Sequence, residues 1–255
     1  MDSTTGQGRG RRGRTRRLLP GLLLLVVLAA TLALVIPGLL SGLRAAGGPV
    51  LGGAECTVTT SEGQVGLTRD EAQRATTAVA LTARGVPAPD TAGIDAAALQ
   101  RLAEGPADDA GPVLACRGSG AADLPVQELT ATGLTPRAQE VRDALAGVFG
   151  EQSLGGFAPG GVGQGHGAES THYDGRAIDV FFRPVTEENR RAGWQVAHWL
   201  VAHAEDLHIQ YVIFDDRFWS DHSSRAQWGN YDAPAPANEI LRHLDHVHVD
   251  VHRGG

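Results

Sequence analysis

The chain contains no lysine; all 22 of its basic residues are arginine. A phosphate-cradling loop closes on Lys-Ser or Lys-Thr, so the glycine-rich stretch 155–167 is not one and reads as a loop beside a site. Cysteine is nearly as scarce. Cys56 and Cys116 are the two, and neither stands in a paired metal-binding motif, which argues against a cysteine zinc site. Cationic residues are few beyond position 17, where 16 Arg face 28 acids and the formal charge is -12. An acidic body lacks the basic face that neutralises phosphates, so no nucleic acid is expected as a partner. There is one long apolar run, and one span cannot by itself enclose a transport path. The ten His are scattered, which excludes a metal-storage tract.

Six Arg crowd the first seventeen residues beside a single acid, Asp2, and residues 18–40 then run almost entirely through Leu, Val, Ala and Ile. In a helix, 23 residues span roughly 34 Å, enough for a bilayer core. Pro20 and Pro37 fall near its ends. An arginine cluster before the span stays in the cytoplasm, which sends the rest of the chain outside a bacterial plasma membrane. The expected order is a cytoplasmic tail at 1–17, a transmembrane signal anchor at 18–40 and a linker at 41–55. A cleaved signal peptide is the rival, with Gly52, Gly53 and Ala54 supplying small residues, although they lie well past the apolar run.

In an exported chain, Cys56 and Cys116 are expected to form a disulfide. Closing a loop of that length contributes roughly 4 kcal/mol in the chain-entropy picture. Between them, Thr68 and Glu71 form a capping box ahead of a helix that Gly85 and Pro87 end. A second short helix is expected over 96–103. Residues 56–117 therefore read as a small helical module with a disulfide, without a catalytic constellation. A linker follows at 118–133, and a C-terminal domain at 134–255. There Thr135-Pro136 opens a helix that Gly150 stops. A strand is expected over 177–182, a helix over 187–207, a strand over 209–214, a loop over 215–236 and a last strand over 246–251.

The chemistry concentrates in two stretches: Ser170 to Asp179, reading S-T-H-Y-D-G-R-A-I-D, and Asp245-His246-Val247-His248. Period two puts His246, His248 and Asp250 on one face of the last strand and the valines on the other. Asp179 has apolar neighbours on the opposite face of its own strand. A carboxylate so placed is costly unless a cation pairs with it. His172, Asp179 and His248 make a donor set that suits one zinc ion and leaves a position for water. Asp245 is the candidate base and His246 the candidate oxyanion or proton-shuttle group. The bland alternative is that Asp245 caps a turn and His246 merely supports a ligand. His198 and His203, five apart on the long helix, are expected at its surface or at the edge of the core. His166, in the glycine-rich loop, and His222 could line a cleft but have no partner at convincing spacing.

The first stretch fits S-x-H-x-x-G-x-A-x-D, and the tail fits H-x-H. Over about 134–252 the chain thereby resembles the D-Ala-D-Ala carboxypeptidase and hedgehog-type zinc metallopeptidase superfamily. The resemblance implies an α+β fold, a small antiparallel sheet with packed helices. It implies zinc on His172, Asp179 and His248, and Ser170 at the substrate's carboxylate end. It also implies hydrolysis of cell-wall peptides, by carboxypeptidase or endopeptidase action. Two positions depart from the pattern. Asp245 stands where many of these peptidases have Glu, and Ala158 stands where an Arg is usual. The missing positive charge would then come from Arg225 or Arg176, or be absent. Two functions follow as expectations: a membrane-anchored extracytoplasmic zinc peptidase acting on peptidoglycan stem peptides, or a zinc-containing cell-wall or protein binding module without turnover.

Overall fold

Hydrophobic alternation and turn chemistry assemble a six-stranded antiparallel sheet in the computed structural model, which describes residues 53–107, 111–118, 120, 123–222 and 225–255. These lie within a unit spanning Gly47–Gly255. The predicted membrane span and basic tail fall outside the described residues; among those residues no helix is long and apolar enough to cross a membrane. Among the described residues the class is α+β, with four helices and two antiparallel sheets.

The larger sheet has the order β4-β5-β9-β6-β7-β8. Its strands are β4 (Leu154–Gly155), β5 (Ala177–Phe181), β6 (Ile209–Phe214), β7 (Arg217–Ser220), β8 (Gly229–Asn230) and β9 (His246–Val251). The last strand of the chain is thus an inner strand, paired with β5 on one side and β6 on the other. All six of its residues are buried. Its valines enter the apolar core, and its polar side chains alternate onto the other face as period two requires.

The stretch 215–236 was expected to be a loop, yet it contributes two strands. Asp215 and Asp216 both adopt positive φ, 53° and 58°. That conformation makes the two-residue turn of a tight hairpin between β6 and β7. Asp-Asp is a rarer filler of such turns than Asn-Gly, so the signal is weak in the sequence.

The segment expected to be a helical module carries a sheet as well. β1 (Cys56–Thr60), β2 (Gly63–Leu67) and β3 (Leu114–Cys116) form an antiparallel sheet of order β2-β1-β3. The predicted disulfide joins Cys56 to Cys116, facing residues on β1 and β3. Helix α1 (Arg69–Ala83) has the expected Thr68–Glu71 capping box, and α2 (Ala96–Glu104) is capped by Asp95.

This segment shares one apolar core with the larger sheet. Three indoles tie the two together. Trp199 Nε1 donates to Thr77 Oγ1 at 3.0 Å, Trp219 Nε1 to the Cys116 carbonyl at 2.8 Å, and Trp228 Nε1 to the Leu114 carbonyl at 2.9 Å. A buried indole N–H needs such an acceptor.

Helix α3 (Pro136–Phe149) begins at its predicted Thr135 cap. Helix α4 (Glu187–Ala202) is shorter than predicted, because the chain turns at His203 and passes through positive φ at His208 before entering β6. His198, expected at the helix surface or the edge of the core, is a core residue only 1 % exposed. Its Nε2 accepts the Val113 N–H at 3.2 Å, and burial pushes its imidazole down to about 3, so it stays neutral.

Candidate metal centre

The pairing of β5 with β9 creates the site. Asp179 lies directly opposite His248, and Phe181 opposite His246. Facing side chains on one sheet face are close enough to touch, so two of the three predicted ligands meet by register alone. The third arrives on a separate element, the 3₁₀ turn Thr171–Asp174. Ser170 caps it, accepting the His172 N–H at 3.4 Å, and Gly175 ends it in the left-handed conformation at φ 65°.

His172, Asp179 and His248 are all buried. Their nitrogens converge on one oxygen: His172 Nε2 lies 3.3 Å, and His248 Nδ1 3.1 Å, from Asp179 Oδ1. His246 Nε2 stands 3.7 Å from the same atom. Burial by itself would push the Asp179 carboxyl up. Hydrogen bonds from His172 and His248, with their charge, override it and hold the group below the usual carboxylate range.

Gly156, at the end of β4, fixes the first imidazole. Its carbonyl is 2.9 Å from His172 Nδ1. A carbonyl can only accept, so Nδ1 carries a proton there and Nε2 is the atom presented to Asp179. Gly156 holds φ at +81°, and a Cβ there would overlap the His172 ring at Cε1 and Nδ1. Gly156→Ala is therefore expected to swing the imidazole away and weaken metal binding by about tenfold to a hundredfold, the usual cost of losing a ligand's supporting partner. Zinc titration against a competing chelator checks this; unchanged affinity would contradict the role given to this carbonyl.

His166 proves to be a neighbour that its spacing did not reveal. Its ring stacks on His172 with centroids 4.0 Å apart. Ligand atoms of His166, His172 and Asp179 all lie within 4.8 Å of one another, a cluster that can hold a metal ion. Tyr173 holds the loop backbone, its hydroxyl accepting the His166 N–H and donating to the His166 carbonyl.

Asp245 is buried behind His246. Its Oδ1 lies 2.7 Å from His246 Nδ1, and its Oδ2 accepts from Arg183 Nε at 2.5 Å. Burial opposes the charge, but hydrogen bonds from His246 and Arg183 keep the carboxyl below its usual range. An ionised Asp245 fixes the His246 tautomer with the proton on Nδ1 and the free lone pair on Nε2, toward Asp179.

These groups line a cleft of ≈ 540 Å³ that includes Ser170, His172, Asp179, Arg183, His246 and His248 but not Asp245. Tyr231, Ile240 and Leu241 add an apolar side. His243 closes the wall at positive φ, 54°, with its ring 4.7 Å from that of His246. Burial and the neighbouring imidazoles push it down to about 3.

Neither arginine proposed as the cation of the site lines this cleft. Arg225 is exposed elsewhere. Arg176 is committed to Asp250 Oδ1 at 2.9 Å and to the Val251 carbonyl. Among the described residues the cation at the cleft is Arg183. It follows Asp179 and Phe181 at period two, although β5 ends at Phe181.

The set His166, His172 and Asp179 can hold a metal ion. One imidazole of that set, His172, is locked by a carbonyl, and the glycine that locks it has no room for a side chain; the third member of the set is His166, while His248 approaches the same Asp179 oxygen from β9.

Residues 130–239 match the family described as VldE, C-terminal domain. The match includes His166, His172, Asp179 and Arg183 and ends before the Asp245–His248 stretch. No curated protein and no solved structure matches the chain.

Proposed function

We propose that the chain is a membrane-anchored, extracytoplasmic zinc metallopeptidase acting on peptidoglycan stem peptides. The observation that carries this reading is the convergence of His172, His248 and His246 nitrogens on a single Asp179 oxygen in an open cleft. Residues 18–40 anchor it, with the N-terminus cytoplasmic. The disulfide suits an oxidising exterior.

His172, Asp179 and His248 would hold the ion, which when bound polarises the scissile carbonyl. The chain's own part is proton transfer. His246 Nε2 takes a proton from water as the hydroxyl joins the carbonyl carbon. It then returns the proton to the amine nitrogen as the C–N bond breaks. Asp245 holds His246 in the tautomer this needs and stabilises its charged form. In this reading the base is His246 rather than Asp245, with Asp245 behind it.

A second reading, a binding module without turnover, is favoured by the same fact: both Asp245 oxygens are occupied, by Arg183 and His246. The test is to incubate the zinc-loaded full chain in detergent with muropeptides and follow the products by mass spectrometry. Shortened stem peptides are expected. Retention of muropeptides with no new fragment would replace the peptidase by the binding module.

A further inference from the structure

Arg183 is the single Arg or Lys lining the cleft among the described residues. The lone carboxylate on that lining is Asp179, which the ligand set commits to a cation. The guanidinium is held from two sides. Its Nε donates to Asp245, and its central carbon sits 4.1 Å over the Phe181 ring. That ring is in turn 5.8 Å from the ring of His246. The Arg183 side chain remains half exposed, and its two terminal nitrogens have no protein partner among the described residues.

An arginine stacked on an aromatic face and anchored through Nε offers its outer edge, with paired N–H donors in one plane, to a carboxylate. We propose that Arg183 is a specificity-determining residue that binds the free terminal carboxylate of the substrate. This rests on the peptidase reading and deepens it, selecting substrates cut next to their C-terminus over internal sites. The carboxylate of a terminal residue lies within one residue's length, about 3.8 Å, of the amide that joins it. A cation one phenyl ring away from His246 is therefore placed for it. The same arginine neutralises Asp245, so carboxylate recognition and the orientation of the His246 base share one side chain.

The test compares N-acetyl-D-Ala-D-Ala with its C-terminal carboxamide on the zinc-loaded full chain in detergent, reading Kd by calorimetry and KM and kcat by product release. The unaltered protein is expected to favour the acid by about tenfold to a hundredfold, the range of a charge-assisted pair. Arg183→Gln should erase that preference, raising Kd for the acid far more than for the amide, with any fall in kcat through Asp245 common to both, and Arg183→Lys should retain part of it. Equal losses for acid and amide would overturn the assignment and leave Arg183 as a brace for Asp245. So would an acid preference that survives Arg183→Gln, or an unaltered protein that does not distinguish the two. Preferential binding of the acid without cleavage would sink the peptidase reading and keep the role of Arg183.

Discussion

Replacing His248 with alanine is expected to strip the protein of zinc, and replacing His166 is not. Both imidazoles stand near Asp179, but on supports of different stiffness. His248 sits in β9, hydrogen-bonded to strands on either side and directly opposite Asp179. His166 sits in the glycine-rich loop, exposed, its backbone held by one tyrosine hydroxyl. A ligand on a strand keeps its geometry without the ion; one on a loop must be ordered by it. Loss of His248 should therefore lower affinity by more than about a hundredfold, beyond the cost of losing an outer-shell partner, and loss of His166 by less than about tenfold. Zinc content after gel filtration, chelator competition and the shift in Tm on adding zinc all read this difference. His248→Gln, which keeps the shape of the strand, guards against a fold defect. The opposite order of effects would move the centre to His166, His172 and Asp179.

Much of the site was legible because its signals are local. His172, Gly175 and Asp179 lie within eight residues, and alternation on β9 put His246 and His248 on one face. Two predicted caps, Thr68 and Thr135, hold as expected, since a cap depends on a side chain and the amides two or three residues on. What escaped depends on tertiary geometry. Nothing near His198 announces that Val113, 85 residues away, will bury it and use it as an acceptor. The strands of the N-terminal sheet are short, and one side of it exists only because Leu114–Cys116 returns to pair with β1. His166 reaches His172 by stacking across a loop, a contact without a spacing rule. Arg183 is a different case. Its period-two relation to Asp179 is present in the sequence, but β5 ends at Phe181, so alternation alone does not carry the face as far as Arg183.

Asp245→Asn and His246→Ala are expected to abolish peptide cleavage to a similar degree, each by about a hundredfold to ten-thousandfold, the range of a lost general base, while zinc content stays unchanged. The reason lies in how the pair is stacked. Asp245 does not reach the cleft lining; His246 does, and its outer nitrogen is 3.7 Å from Asp179 Oδ1. If Asp245 acts by orienting His246, removing either member removes the same function. The double variant Asp245→Asn with His246→Ala should then be no worse than His246→Ala alone, because groups that act as a unit lose their contribution once. If Asp245 were itself the base, as its position three residues before His248 first suggested, His246→Ala should keep activity within about tenfold and the double variant should fall to the level of Asp245→Asn. Single-turnover rates on the zinc-loaded proteins, with metal content measured on the same samples, separate the two. Asp245→Asn also leaves Arg183 facing a neutral amide, so part of its loss can arise through the guanidinium. The acid and amide substrates divide that part off: lost carboxylate recognition by Arg183 appears on the acid alone, whereas lost orientation of His246, by whichever route, must appear on both.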